Sequence, residues 1–266
     1  MAERYIAVID AGSSRVRFIL LDQDGQVAAS GDMEWTYKQV DGASPYAREF
    51  DAAETWSGIG RLIRHVLSES PIASRDVAAI TVTGQRQAVA FLDEADDALY
   101  VGTNLDLRAV FEGAAIDDQL GDRVYSTTGH QPSFLFAPAK AHWLREHRPH
   151  DFSRVTSTVT LVDWIMHQVS GQLSSEPALA GEAGLLDVSS RSWCSALLAK
   201  LGMPSNDHVP LLHAGSALGE VTHSAAATTG LRAGTLIVVA GVDTQCGLLG
   251  LGMVSPGEIG IVAGWS

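Results

Sequence analysis

The chain contains only two cysteines, Cys194 and Cys246, too few for a disulfide framework and in keeping with a reducing compartment. It has no apolar run long enough to span a bilayer. Its opening, Met-Ala-Glu-Arg, leads directly into a strand-like stretch, not the apolar core of a signal peptide. The expectation is a cytoplasmic protein. Basic residues are scarce: 18 Lys and Arg stand against 31 Asp and Glu, a formal net charge of −13. That balance argues against general affinity for nucleic acid or anionic membrane, so neither is expected as a partner. A polyphosphate ligand would have to be held by backbone dipoles, a bound cation and a few basic side chains. The nine histidines show no metal-ligand spacing. There is also no Gly-x-x-x-x-Gly-Lys-Ser/Thr loop and no set of three spaced glycines opening a helix, which removes the Walker and dinucleotide-binding sites.

What is present begins at once. The 266 residues, 46% hydrophobic, suffice for one large domain or two small ones with a substantial core. Tyr5 to Asp22 reads as strand, tight turn, strand, with Gly12, Ser13 and Ser14 at the turn and Asp10 where the first strand bends. Small residues there leave backbone N–H groups free to face an anion, with a carboxylate beside them. Asp22 to Gln26 forms a second turn and Val27 to Gly31 a third strand. A strand-loop-strand phosphate site with an acidic residue ending the first strand suggests the actin, hexokinase and sugar kinase superfamily. A plain β-meander whose turn favours Asp and Ser is the alternative.

Met33 to Phe50 is irregular. Asp51 then caps a helix, with Glu54 three residues on and Trp56, Ile59, Leu62, Ile63, Val66 and Leu67 at helical spacing. Val77 to Thr83 reads as a buried strand and Ala88 to Leu92 as its partner, separated by the polar turn Gly84-Gln85-Arg86-Gln87. Thr103 to Ala109 leads into a helix ending about Leu120, and Leu135 to His147 forms another. Val155 to Thr160 reads as a strand, Leu161 to Val169 as a helix. After an extended stretch from Pro210 to Val221, the opening pattern recurs: a buried strand from Thr235 to Ala240, the turn Gly241-Val242, and the carboxylate of Asp243 at its mouth. Glu258 to Ala263 reads as one more strand.

Five stretches in this order resemble one family, the FGGY carbohydrate kinases, over essentially the whole chain. Asp10-Ala11-Gly12-Ser13-Ser14-Arg15-Val16-Arg17 resembles their first phosphate loop, and Arg86-Gln87 falls where the family places sugar-contacting residues. Asn104 to Ala109 resembles its Asp-x-Arg segment, here Asp106 and Arg108. Lys140, Trp143, Leu144, Glu146 and His147 follow most of the first family signature, with Ala137 and Ala141 departing from it. Gly241-Val242-Asp243-Thr244-Gln245 resembles the stretch bearing the family's catalytic base.

The resemblance implies an α/β fold: a ribonuclease-H-like domain of the actin/hexokinase superfamily, with a mixed five-stranded sheet flanked by helices. It implies a bilobal kinase with ATP and Mg²⁺ in the cleft, residues 1–253 forming the N-terminal lobe and residues 254–266 the first strand of a second lobe that is otherwise absent. Asp243 would be the general base and touch substrate, with Arg86, Gln87 and Asp106 as the other substrate-binding residues. Asp10, Gly12, Ser13, Ser14, Arg17 and Gly264 would serve the nucleotide phosphates, and Asp10, through water, and Asp243 the Mg²⁺. Trp265 stands near the usual position of a Thr in the second phosphate loop.

The substrate expected is a small sugar or polyol, a ketopentose being favoured. A linear quorum-signalling pentanedione derivative is a rival within the class, and a non-catalytic sugar sensor on the same fold is a rival outside it. Local alternatives also stand: Asp243 as a helix N-cap, Arg86 and Gln87 as a solvated turn, Arg108 as a helix surface charge, and Lys140 and Trp143 as packing residues. The sequence leaves the oligomeric state open, a homodimer included.

Overall fold

The computed structural model describes residues 4–38 and 45–263. The chain begins with a meander of three antiparallel strands, β1 (Tyr5–Ala11), β2 (Arg15–Leu21) and β3 (Val27–Glu34). Ala7, Ile9 and Ala11 on β1 and Val16, Phe18 and Leu20 on β2 are all buried, the period of two that a half-buried strand requires. The helix α1 (Ala52–Glu69) follows. Asp51 caps it by accepting from the Glu54 N–H at 2.9 Å, and Ile59, Leu62, Ile63 and Val66 form its buried stripe. That stripe packs on β2 and β3, where Val66 and Leu62 fill the space above Gly31.

Next come β4 (Val77–Gly84), β5 (Val89–Leu92), β6 (Ala98–Gly102) and α2 (Val110–Thr128). The helices α3 (Ala137–His147) and α4 (Pro149–Phe152) lead to β7 (Ser157–Thr160) and α5 (Leu161–Ser170). Beyond these lie α6 (Pro177–Glu182), the short hairpin β8 (Leu186–Asp187) and β9 (Ser192–Trp193), and α7 (Ser195–Lys200). The last elements are β10 (Ala217–Glu220), α8 (His223–Thr229), β11 (Leu236–Val238) and α9 (Asp243–Gly250).

The main sheet has the order β10-β11-β4-β1-β2-β3. Five of its strands, β3-β2-β1-β4-β11, are the expected mixed sheet: β4 runs parallel to both β1 and β11, and the meander is antiparallel. The sheet has six strands, not five, because β10 adds antiparallel to the outer side of β11. The carboxyl ends of β1, β4 and β11 therefore share one edge, where ligands bind in open α/β sheets. At that edge β1 and β4 come very close, since a Cβ on Gly84 would lie 2.5 Å from the Ala11 carbonyl oxygen.

Three elements differ from the sequence reading. β5 does not pair with β4: it forms a second sheet, β6-β5-β7. The turn between them moves the chain from one sheet to the other, with the Gln85 N–H still bonded to the Ala11 carbonyl at 2.9 Å. The helix expected to end about Leu120 continues to Thr128 and stops where Gly129 adopts φ 75°. Glu258 to Ala263 forms no strand. A strand needs a hydrogen-bonded neighbour, and none of the described residues pairs with this stretch, leaving Ile259 and Ile261 exposed.

Among the described residues, no helix is long and apolar enough to cross a membrane.

Candidate active site

Asp10 is the last residue but one of β1 and sits in register with Arg17 on β2 and Thr83 on β4. The Arg17 guanidinium donates to its carboxylate at 3.1 Å. Burial raises the Asp10 pKa, Arg17 opposes the rise, and the Asp243 carboxylate adds to it. Thr83 also anchors the other side of the site: its hydroxyl donates to the Gly241 carbonyl at 2.8 Å, as Thr81 does to Val238 at 2.7 Å. Those bonds fasten the end of β11 to β4 and set Asp243 at the start of α9. Asp243 is not the N-cap, which is Val242. Its carboxylate accepts from the following Thr244 N–H at 2.6 Å. Two carboxylates that interact electrostatically thus follow two strands that flank β4, Asp10 at the end of β1 and Asp243 at the start of the helix after β11.

The β1–β2 hairpin follows directly on Asp10. Gly12 and Ser13 are half-buried and Ser14 is exposed. The Gly12 carbonyl accepts from the Trp35 indole at 2.7 Å and from the Gln85 side chain at 3.0 Å. Gly264, assigned to the second phosphate loop, and Trp265 lie outside the described residues.

The other sequence-predicted residues sit on two loops. On the first, Arg86 is exposed and makes no ion pair among the described residues, while Gln87 is half-buried with φ 64°. On the second, Asp106 is wholly buried and does not face an open cleft. Its carboxylate accepts from the Tyr100 hydroxyl at 2.6 Å and from the Arg108 Nε at 2.9 Å. Arg108 is correspondingly not a surface charge. It reaches Glu49 at 2.8 Å, and its guanidinium lies 4.7 Å from the centre of the Trp143 ring. Arg148 bonds the second Glu49 oxygen at 2.8 Å. The sequence reading missed Glu49 because it lies in the irregular stretch before α1.

Lys140, on α3, ties the two loops together. Its Nζ donates to the Gln87 carbonyl at 2.8 Å and the Thr103 carbonyl at 3.1 Å. Burial pulls its pKa down to about 8, with the Asp106 carboxylate opposing this and Arg108 adding to it. The unfolded chain holds that proton up to the ordinary value of 10.5. Between these two values the unfolded state binds more protons than the folded one, so this group makes stability rise with pH across the window. The full gain is roughly 3 kcal/mol. Urea unfolding from about pH 7 to about pH 10 is expected to show the parent gaining on Lys140→Met as pH rises. A constant difference between the two would mean that the amine does not titrate in this range.

A ribonuclease-H-like sheet, a hydroxyl-tipped hairpin after its first strand and paired carboxylates at its carboxyl edge define a domain of the actin and hexokinase type. The chain belongs to the FGGY family of carbohydrate kinases, matching the family's N-terminal domain over residues 5–250. It is 34% identical over 265 residues to an autoinducer-2 kinase of Klebsiella pneumoniae, covering 98% of this chain and 49% of that protein. The xylulose kinase of Rhodospirillum rubrum superposes with a TM-score of 0.85 at 25% identity, covering 96% of this chain and 52% of that one. A ligand-bound xylulose kinase from Lactobacillus acidophilus shares the fold, with a TM-score of 0.82 at 19% identity, over 94% of this chain and 50% of that one. The chain spans about half the length of the curated relatives it matches.

Proposed function

We propose that this chain is the substrate-binding N-terminal lobe of a kinase that phosphorylates a hydroxyl on a small sugar or polyol. In this reading residues 1–253 form the lobe, and residues 254–266 lead into a second lobe, where Glu258 to Ala263 gains the strand partner it lacks here. The observation that carries it is the placement of Asp10, at the end of β1 beside the β1–β2 hairpin, and Asp243, at the start of α9, where the two carboxylates interact across β4 in a chain of this family.

Phosphoryl transfer to a hydroxyl needs a base at the attacking oxygen, donors around the phosphates and an in-line approach. Asp243 is the base: its carboxylate takes the proton of the acceptor hydroxyl. Gly12, Ser13 and Ser14 offer donors to phosphate, with Arg17 as the nearby positive charge. Arg86 and Gln87 face the acceptor. Asp106 serves from behind by fixing Arg108 and the 103–109 loop. ATP with Mg²⁺, when bound, supplies the transferred group and offsets its charge. Two mutually repelling carboxylates suit a divalent cation, and Asp10, through water, and Asp243 are the residues that would hold it.

For the substrate, the autoinducer-2 kinases among the relatives favour the quorum signal over a ketopentose, while the likeness to xylulose kinase keeps the sugar in view. ATP consumption by the complete protein is to be measured with autoinducer-2, pentuloses, hexuloses and alditols. Turnover with one of them is expected. Ligand binding without turnover would replace the kinase with a sensor.

A further inference from the structure

Gln85 lies in the polar turn between β4 and β5, and the roles proposed above leave it unused. It is almost wholly buried, and its side-chain amide faces both halves of the site. Nε2 donates to the Gly12 carbonyl of the phosphate hairpin at 3.0 Å, and Oε1 accepts from the Asn104 N–H of the 103–109 loop at 3.0 Å. The backbone N–H of Gln85 holds the Ala11 carbonyl at 2.9 Å. Asn104 closes the ring by donating from Nδ2 to the Ser13 hydroxyl oxygen at 3.0 Å. One planar amide thus spans the hairpin that would meet the phosphates and the loop that lies behind the acceptor.

We propose that Gln85, with Asn104, is a positioning residue that sets the phosphate hairpin in register with the acceptor-side loops. This rests on the kinase reading above. In-line transfer requires the reacting atoms to lie about 3–3.5 Å apart, and a displacement of about 1 Å can cost roughly 100-fold in rate. A rigid amide bonded at both ends limits that displacement. Glutamine suits the position because it offers a donor and an acceptor on one plane. A carboxylate would set an oxygen against the Gly12 carbonyl, and an apolar side chain would bond neither end.

The test uses Gln85→Leu, with Gln85→Glu and Asn104→Ala beside it. Gly12 keeps its bond from Trp35 when Gln85 is replaced, so the hairpin loses register without losing every partner. Amide hydrogen exchange on the chain is expected to quicken at least about 10-fold for Ser13, Ser14 and Arg15 in Gln85→Leu, while the β1–β2 ladder stays protected. In the complete kinase, turnover is expected to fall about 10- to 100-fold, with KM for each substrate within about threefold and a larger share of ATP consumed without product formation. Asn104→Ala is expected to show the same pattern more weakly, and Gln85→Glu not to restore turnover.

Unchanged exchange at the hairpin would overturn the proposal. So would a fall in turnover matched by loss of folded protein, or a Gln85→Leu enzyme with parental turnover. If the parent shows no turnover while the exchange result holds, it is the kinase reading that fails and the clasp stands as a structural feature.

Discussion

Asp243→Asn is expected to lower turnover of the complete kinase by about 10²- to 10⁴-fold, the range for loss of a positioned general base, while acceptor binding changes only a few fold. Asparagine keeps the size of the side chain and one oxygen that can accept from Thr244, so the start of α9 should survive. The amide cannot take a proton from a hydroxyl. The neighbouring carboxylate makes the result more specific. Asp243 helps to raise the Asp10 pKa, so the variant should let Asp10 titrate at lower pH. The acid limb of nucleotide binding should then move down in pH even as turnover is lost. Stopped-time product assays and calorimetric titration of acceptor and nucleotide separate these effects. Turnover within tenfold of the parent would remove Asp243 as the base.

Much of this site was legible because it lies where strands end. A strand announces itself by alternation, and the polar residue that breaks the alternation marks the sheet edge: Asp10 after Ile9 and Asp243 after the β11 run were found in this way. The α1 cap was equally local, one Asp and an N–H three residues on. What sequence did not reveal was long-range partnership. Ala88 to Leu92 has the composition of a strand whichever sheet it joins, and only the three-dimensional turn at Gln85 separates β5 from β4. The same limit hid the charged cluster. An Asp-x-Arg segment leading into a helix reads equally as a sugar contact or as a surface pair. The fact that decides otherwise is Glu49, 59 residues earlier. Lys140 read as a packing residue and is fully buried, but nothing local indicates that its ammonium ties Gln87 to Thr103.

That cluster carries the largest stability effect. Arg108→Leu is expected to destabilise the chain by about 3–5 kcal/mol, the usual cost of breaking a buried pair by removing one partner. The side chains of Arg108 and Asp106 are both 0% exposed and that of Glu49 2%, so water cannot replace the lost guanidinium. Leucine would also forfeit the contact with the Trp143 and Tyr100 rings. Two features hold the loss within this range: Arg148 still neutralises one Glu49 oxygen, and Tyr100 still donates to Asp106. Arg108→Lys keeps the charge, but a single ammonium lacks the planar fork that reaches Asp106 through Nε and Glu49 through Nη1 together. It should fall between the parent and the leucine variant. Chemical unfolding of the three proteins gives the comparison, and a leucine variant within 1 kcal/mol of the parent, on the order of a surface pair, would mean that solvent reaches the cluster. Because Asp106 and Arg108 lie within the loop that also carries Thr103 and Asn104, the destabilised variants should lose acceptor affinity before they unfold. The buried charges thus anchor the 103–109 loop, and in the proposed kinase that loop shapes the acceptor side of the site.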